Sequence, residues 1–261
     1  SRHIDVYRDP ADPIDTILFA DGLGRVLQQK KDATVHTHPN TPAATVMVVS
    51  GRVAFDHASR PFEAHYPVTE PAQTPAVNFV FNGTYDTIKP TLTAYDHLGR
   101  PLQTTLPDDT VTTRAYAIAP DKQGLKRLAT TTIDAEGRIT VTYRDIRELI
   151  RSIKQLETTQ NKTIWTEYEY DPLEQLRAVR DDHGNITEAT YDLLGRLRLL
   201  ESPDAGLTET VHDRASNVVE KITSNLRAES KAIAYDYQYN RLDSITYPNY
   251  PDNDVTYTYG P

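Results

Sequence analysis

The stretch "FADGLGRVLQQKKDA" (residues 19–33) has the residue types of a loop that binds a dinucleotide. It places Gly22 and Gly24 directly after an apolar, strand-like run. Glycines in this position let backbone amides approach a pyrophosphate, and a helix would follow. However, Leu27 stands where the third glycine of that pattern belongs, and no capping residue opens the expected helix. The glycine pair alone therefore does not predict a cofactor site.

Two other groups suggest metal binding or glycoside hydrolysis. His36 and His38 would place two imidazoles on one face of a strand, but they lie beside Pro39 and no third ligand is identifiable. The acid pairs Asp108–Asp109 and Asp181–Asp182 fall in predicted turns, where aspartate caps the backbone. Nucleophile-elbow and phosphate-loop motifs are also absent from the sequence. We therefore predict that the chain is not an enzyme and holds no metal and no cofactor.

The composition of the chain disfavours two classes of binding partner, nucleic acids and membranes. The chain has 261 residues and a formal net charge of -9, which disfavours binding to nucleic acid. Its apolar runs fall short of the roughly 20 residues that span a bilayer, so we expect no membrane insertion. Cysteine is absent, and the one methionine, Met47, is internal. A chain that starts at Ser1 without an initiator methionine is expected to be a segment of a longer protein.

A short pattern recurs along the whole chain: aspartate, two variable residues, glycine or serine, and then arginine. It occurs in "YDHLGRPLQTT" from Tyr95, "IDAEGRITVTY" from Ile133, "YDLLGRLRLLE" from Tyr191 and "FDHASRPFEAH" from Phe55. A phosphate loop occurs once per nucleotide site, whereas a pattern spread over the chain predicts architecture. We predict structural turns at four sets of residues: Asp21, Gly24 and Arg25; Asp96, Gly99 and Arg100; Asp134, Gly137 and Arg138; Asp192, Gly195 and Arg196.

The spacing of these turns predicts β-hairpins. Asp171, Asp192 and Asp213 follow one another at intervals of 21 residues, with a weaker half-repeat between them. Each unit accommodates two alternating strands and two turns, in which aspartate accepts backbone hydrogen bonds and glycine adopts positive φ. We predict an all-β, antiparallel structure with at most about 10% helix. Residues 1–93 form a less regular β lead-in, and residues 94–261 form the repeat array.

The sequence of one region is compatible with either a helix or a strand. "YRDIRELIRSIKQLE" (residues 143–157) has the apolar spacing of an amphipathic helix, but it aligns with the repeat segment "YDPLEQLRAV". We favour a strand and keep the helix as the alternative.

The proline-rich stretches "HTHPNTP" (residues 36–42) and "VTEPAQTP" (residues 68–75) are predicted loops around the strands "TVMVV" and "RVAF".

"YDLLGRLRLLESPDAGLTETVHD", "YDHLGRPLQTTLPDDTVTTRAY" and "YEYDPLEQLRAV" resemble RHS repeats, also called YD repeats. "FADGLGRVLQQKKDA" and "SGRVAFDHASRPFEAHYPV" further resemble the central part of the B components of bacterial insecticidal toxin complexes and plasmid-virulence B-type proteins. The resemblance is strong over residues 95–222 and looser before them. It implies a strip of β-hairpins that spirals into a hollow shell, as in the related barrel of teneurins.

This resemblance also implies a function. The chain would be a structural fragment of a shell that encapsulates a toxic C-terminal segment in a secreted or cell-surface bacterial protein. Its partners would be the rest of its own parent chain and other toxin-complex subunits. In that family the catalytic residues lie outside the repeats. The alternative is a surface adhesion or carbohydrate-binding module, in which tyrosine stripes such as Tyr235, Tyr237 and Tyr239 would stack on sugars. If the chain is instead a strip cut from a shell, strand edges near both chain ends would favour self-association of the excised fragment.

Overall fold

The structure, a computed structural model, describes residues 2–3, 14–35, 44–71, 80–84, 88–157 and 162–260. The chain divides into two compact units. Unit 1 comprises Ser1–Ala115 and Thr132–Gly137, and unit 2 comprises Tyr116–Thr131 and Arg138–Pro261. The sequence predicts a different boundary, between a less regular part that ends at residue 93 and a repeat array that begins at residue 94. This boundary describes the regularity of the sequence, and it stays a prediction.

Unit 1 contains two antiparallel arrangements of strands. The first is a five-stranded sheet with the order β1-β2-β3-β4-β7, and the second pairs β5 with β6, β6 with β8, β8 with β9, and β9 with the start of β10. The strands are β1 (Arg2–His3), β2 (Ile14–Ala20), β3 (Val26–Val35), β4 (Ala44–Val49), β5 (Val53–Phe55), β6 (Pro61–Ala64), β7 (Val68–Pro71), β8 (Thr91–Tyr95), β9 (Pro101–Thr105) and β10 (Val111–Pro120).

Unit 2 is a ladder in which strands β12 to β22 pair with their sequence neighbours in antiparallel order. β10 and β11 contribute residues to both units. The strands are β11 (Lys126–Ile133), β12 (Ile139–Arg144), β13 (Ile150–Glu157), β14 (Lys162–Tyr170), β15 (Leu176–Arg180), β16 (Ile186–Tyr191), β17 (Leu197–Ser202), β18 (Gly206–His212), β19 (Val218–Ile222), β20 (Ile233–Gln238), β21 (Arg241–Thr246) and β22 (Val255–Thr256).

Helix is confined to two short segments of the described chain. The helix α1 (Ser224–Ala228) follows Thr223, whose side chain accepts a hydrogen bond from the Leu226 amide, and a single 3₁₀ turn covers Pro251–Asn253. Strands make up 57% of the described residues and helix 4%. The predicted all-β, antiparallel fold class is therefore confirmed.

The helix-like segment 143–157 is a hairpin. Residues 143–144 end β12, a turn follows, and Ile150–Glu157 forms β13. Ile146, one of the apolar residues at helical spacing, is 96% exposed at the turn, so the apparent apolar face does not exist. The repeat alignment therefore predicted this segment correctly where local periodicity did not.

The loop predicted for "VTEPAQTP" is wrong in its first half. Val68–Pro71 forms β7 and pairs antiparallel with Val46–Val49 of β4. Proline at position 71 suggested a loop, but it ends the edge strand of the five-stranded sheet, where a missing amide donor costs little. Residues 72–75 and "HTHPNTP" lie outside the described residues. The strands predicted for "TVMVV" and "RVAF" correspond to β4 and β5.

Few apolar side chains are buried. Among the described residues they are Ile17, Met47, Val49, Ala129, Tyr143 and Ala178. Most other strand residues are half-buried or exposed, and Lys30 is as deeply buried as the apolar residues beside it. The fold therefore depends on strand pairing and on contacts between neighbouring hairpins more than on one large core.

Candidate functional site

The repeated aspartate turns share one hydrogen-bond pattern. The amide of the aspartate donates to the carbonyl four residues later, and the amide three residues later donates back to the aspartate carbonyl. One carboxylate oxygen, Oδ1, accepts from the amides two and four residues later. The same bonds recur in the turns that begin at Asp21, Asp56, Asp96, Asp121, Asp145, Asp171, Asp181 and Asp192. Each turn is a three-residue hairpin loop with a bulge.

The residue three positions after the aspartate is left-handed. The predicted positive φ is observed at Gly24, Gly99, Gly137 and Gly195, with values of 77°, 82°, 78° and 79°. In the turn at Asp134, the Gly137 amide donates to the Asp134 carbonyl, and Arg138 follows just before β12. The same conformation occurs without glycine at Ser59, Glu148, Glu174 and Ser216. The hydrogen bonds to the aspartate therefore impose the turn even where the side chain disfavours it.

The Asp21 turn offers a matched test of this requirement. Alanine at Gly24 would have free space but a φ of 77°, whereas Gly22 has equal space and an ordinary φ. We expect Gly24→Ala to lower the free energy of unfolding by about 1 kcal/mol and Gly22→Ala to leave it nearly unchanged. Urea unfolding of both variants beside the parent chain measures the difference. Equal effects of the two substitutions would contradict the turn assignment.

Arginine four residues after the aspartate closes several turns with an ion pair. Arg25, Arg60, Arg100 and Arg196 donate from Nε to Oδ2 of their own aspartate at 2.6–2.7 Å. The hydrogen bond from the Arg196 side chain, together with backbone donors, lowers the pKa of Asp192 from 3.8 to about 2. The pKa of Asp21 and Asp56 is lowered in the same direction, first by the side chains of Arg25 and Arg60.

Lowering the pH should therefore reduce the stability of the folded chain. A carboxyl group whose pKa is lower in the folded than in the unfolded chain stabilises the fold fully above pH 3.8 and loses this effect as the pH falls towards about 2. We expect the midpoint of urea unfolding to fall over that interval. Arg196→Ala removes the main cause of the shift at Asp192, so its midpoint should fall less steeply. A midpoint that stays constant on acidification would show that these ion pairs do not form.

Within unit 1, the turns at Asp21 and Asp56 also contact the next hairpin. Arg25 Nη1 donates to Ser59 Oγ at 3.0 Å, and its guanidinium lies 4.7 Å from the centre of the Phe55 ring. Arg60 repeats the arrangement one hairpin later: Nη1 donates to the Asp96 carbonyl, and the guanidinium lies 4.9 Å from the Tyr95 ring centre. These arginines therefore join consecutive turns through hydrogen bonds and cation–π contacts.

Tyrosines make the return contact. Tyr95 OH donates to the Pro61 carbonyl at 2.8 Å, and in unit 2 Tyr191 OH donates to the Leu176 carbonyl at 2.9 Å. In both cases the acceptor is the first residue of the second strand in the preceding hairpin. The tyrosine–aspartate pair that opens a repeat thus has two separate tasks. Aspartate builds its own turn, and tyrosine attaches that turn to the hairpin before it.

In unit 2 the contacts run along an uninterrupted row of turns. Gln175 Nε2 donates to the Gly195 carbonyl at 3.0 Å, and Arg196 Nη1 donates to the Asp213 carbonyl at 2.8 Å. Asn217 Nδ2 then donates to Asn240 Oδ1 at 3.0 Å. We call the turns that begin at Asp145, Asp171, Asp192, Asp213 and Tyr239 the turn row of unit 2. Arg147 and Glu174 join its first two members at 3.6 Å.

Each of these carboxylates accepts from backbone amides, and in most of the turns it also accepts from a side-chain donor. His57, His97 and His183 are exposed at the turns, and His36 and His38 lie outside the described residues. In the part of the chain that the structure describes, no three His, Cys, Asp or Glu side chains form a possible metal site. No helix among the described residues is long and apolar enough to cross a membrane.

Sequence reasoning missed two features. The turn at Asp121 has the expected glycine at 124, but its ion-pair partner is Arg127, six residues later instead of four. A search that allowed this shift would have found it. The second feature is a buried polar cluster in unit 1, where Glu70 contacts both Lys30 and Asn82. These three residues come from separate segments, so no local pattern brings them together.

The fold is similar to solved structures of TcdB2-TccC3. One of them matches with a TM-score of 0.62 at 18% identity over 95% of this chain. A structure of TcdB2-TccC3 without the hypervariable C-terminal region gives 0.60 at 18%, and TcdB2-TccC3-TEV gives 0.61 at 20%, again over 95%. The chain spans only 13% of the length of each of these chains.

No protein-family model and no curated protein matches the sequence. The structural likeness nevertheless covers nearly the whole chain, and the hairpins and their turns lie where the repeat pattern predicts them. The resemblance to RHS repeats is therefore confirmed at the level of the fold: the chain is an antiparallel array of β-hairpins with the fold of one part of the TcdB2-TccC3 toxin complex.

Proposed function

We propose that residues 1–261 are a segment of the wall of an RHS-repeat shell in a bacterial toxin or exoprotein. The shell encloses a toxic or effector segment located towards the C-terminus of the parent chain. The observation that carries this proposal is the turn row of unit 2, in which each hairpin is tied to the next by side chain–backbone or side chain–side chain contacts.

A wall has different requirements from a compact binding domain. It must continue from hairpin to hairpin without a gap, and its stability must come from neighbours along the strip. The ladder from β12 to β22 and the small number of buried apolar side chains suit this requirement. The likeness to part of TcdB2-TccC3 gives further support, since this chain would correspond to a small share of a long protein.

In this proposal the segment has a structural role and acts on no substrate. Its aspartates serve the turns, with their oxygens engaged by backbone amides and, in several turns, by arginine. The partners are the remainder of the parent chain and, beyond it, other subunits of a toxin complex. Such a protein acts outside the bacterium, so we place it in the secreted or cell-surface fraction.

Limited proteolysis of the product of the whole gene tests enclosure. A tag at the C-terminus of that product should survive protease while the protein is native and should be lost after denaturation. A second tag at the N-terminus serves as the accessible control. Removal of the C-terminal tag from native protein as fast as the N-terminal tag would contradict enclosure.

A second candidate function is carbohydrate binding at the end of unit 2. Tyr239, Tyr257 and Tyr259 line one cleft together with Arg241 and Asp243, a combination of aromatic faces and charged groups that suits a sugar. Tyr239 is 93% exposed. Saturable binding on a glycan array that Tyr239→Ala and Tyr257→Ala abolish would support this function. If the parent chain bound no glycan, or if both variants bound glycans as well as the parent chain does, carbohydrate binding at this cleft would be contradicted.

A further inference from the structure

The buried polar cluster of unit 1 consists of Lys30, Glu70 and Asn82. The Lys30 side chain is 2% exposed, and Nζ donates to Glu70 Oε1. Asn82 Nδ2 donates to the other oxygen of the same carboxylate, Glu70 Oε2, at 2.9 Å. One carboxylate therefore holds a lysine amine and an asparagine amide side by side, and all three side chains line the same cleft.

We infer that Lys30 and Asn82 form an intramolecular isopeptide bond, with Glu70 as the group that transfers the protons. A lysine amine is a nucleophile once it has lost its proton, and an amide carbon is its electrophile. Holding both groups on one carboxylate replaces a bimolecular encounter by an oriented reaction within the folded chain.

The backbone around Asn82 supports the attack. The Thr84 amide donates to Asn82 Oδ1 at 2.8 Å. Negative charge develops on this oxygen when Cγ becomes tetrahedral, so the amide stabilises the intermediate as an oxyanion-hole donor does. Gln28 fixes the backbone of Asn82 from both sides: its Nε2 donates to the Asn82 carbonyl, and its Oε1 accepts from the Asn82 amide. Gln28 is thus a positioning residue.

Aromatic rings restrict water near the amine. Lys30 Nζ lies 5.9 Å from the centre of the Phe19 ring, and Phe19 packs edge-to-face on Phe81 with ring centres 5.5 Å apart. Phe81 is the residue before Asn82, so the same packing that shields the amine also anchors the electrophile. Exclusion of water disfavours hydrolysis of the amide as the competing reaction.

The atoms balance without a co-reactant. Nζ passes one proton to the Glu70 carboxylate and attacks Cγ of Asn82, forming the Nζ–Cγ bond. Glu70 passes this proton to Nδ2, the Cγ–Nδ2 bond breaks and ammonia leaves through the cleft, while Glu70 takes up the second proton that Nζ loses. Glu70 returns its proton to solvent. The product is a secondary amide that joins β3 to the segment after β7.

Mass spectrometry of the intact chain of residues 1–261 tests the inference. The folded protein, incubated until its mass is constant, should be lighter than its sequence by one molecule of ammonia. A protease digest should then contain one branched peptide in which the Lys30 and Asn82 segments are joined. A mass equal to the sequence value would overturn the proposal.

A succinimide at Asn82–Gly83 also releases ammonia, so the digest decides between the two products. A peptide that contains Asn82 and Gly83 without Lys30 and is lighter by one molecule of ammonia would likewise overturn the proposal. Lys30→Arg keeps the positive charge and Glu70→Gln keeps the shape, and both variants should have the full sequence mass. Lys31→Met changes the exposed lysine next in the chain and should still lose ammonia. Circular dichroism establishes that each variant is folded.

Discussion

Tyr143→Ala is expected to lower the free energy of unfolding of unit 2 by about 4 kcal/mol. Tyr143 is 6% exposed in β12, and its ring stacks on Trp165 of β14 with ring centres 5.7 Å apart. Because unit 2 has few buried apolar side chains, the neighbouring strands have little other apolar material with which to fill the cavity. Urea unfolding followed by Trp165 fluorescence measures the change.

Two variants make this prediction specific. Tyr143→Phe keeps the ring and should retain most of the stability. Tyr250→Ala removes a tyrosine that is 68% exposed and should change the free energy of unfolding by at most about 0.5 kcal/mol. If Tyr143→Ala were as mild as Tyr250→Ala, the packing of Tyr143 against Trp165 would be wrong.

Asp145→Ala is expected to cost about 3 kcal/mol, since it leaves several donors without their acceptor. Asp145 is 7% exposed. Its Oδ1 accepts from the amides of Arg147 and Leu149 at 2.9 and 3.1 Å, and its Oδ2 accepts from Arg151 Nε at 2.9 Å. The turn between β12 and β13 depends on these bonds. Thermal or urea unfolding of the variant gives the loss directly.

Asp145→Asn keeps one acceptor oxygen but removes the charge that attracts Arg151, so its stability should lie between those of the parent chain and Asp145→Ala. Asp204→Ala is the matched control, because Asp204 is exposed in a turn of different construction. Similar losses for Asp145→Ala and Asp204→Ala would show that the aspartate does not organise its turn.

The sequence predicts the hairpins well because their causes are local. Aspartate and a left-handed residue three positions later define each turn, and the spacing of 21 residues between Asp171, Asp192 and Asp213 repeats that chemistry. The same regularity correctly predicted β13 where apolar periodicity suggested a helix. At Val68–Pro71 the prediction was wrong because pairing with β4 outweighed the loop signal of a proline at the strand end.

Contacts between hairpins could not be predicted, since they depend on strand register and not on the local pattern. Nothing in the sequence around Arg196 indicates that its guanidinium reaches the Asp213 carbonyl. Left-handed Glu148 and Glu174 are equally unexpected, because neither residue favours positive φ. The cluster of Lys30, Glu70 and Asn82 likewise appears only when the five-stranded sheet brings separate segments together.

The most direct test of the proposed wall is a cryo-electron-microscopy map of the product of the whole gene. We expect residues 1–261 to form consecutive hairpins in the wall of a hollow shell, with the turns joined as they are here and density for the C-terminal segment inside. A map in which these residues form a separate domain, with no interior enclosed by the repeats, would contradict the account.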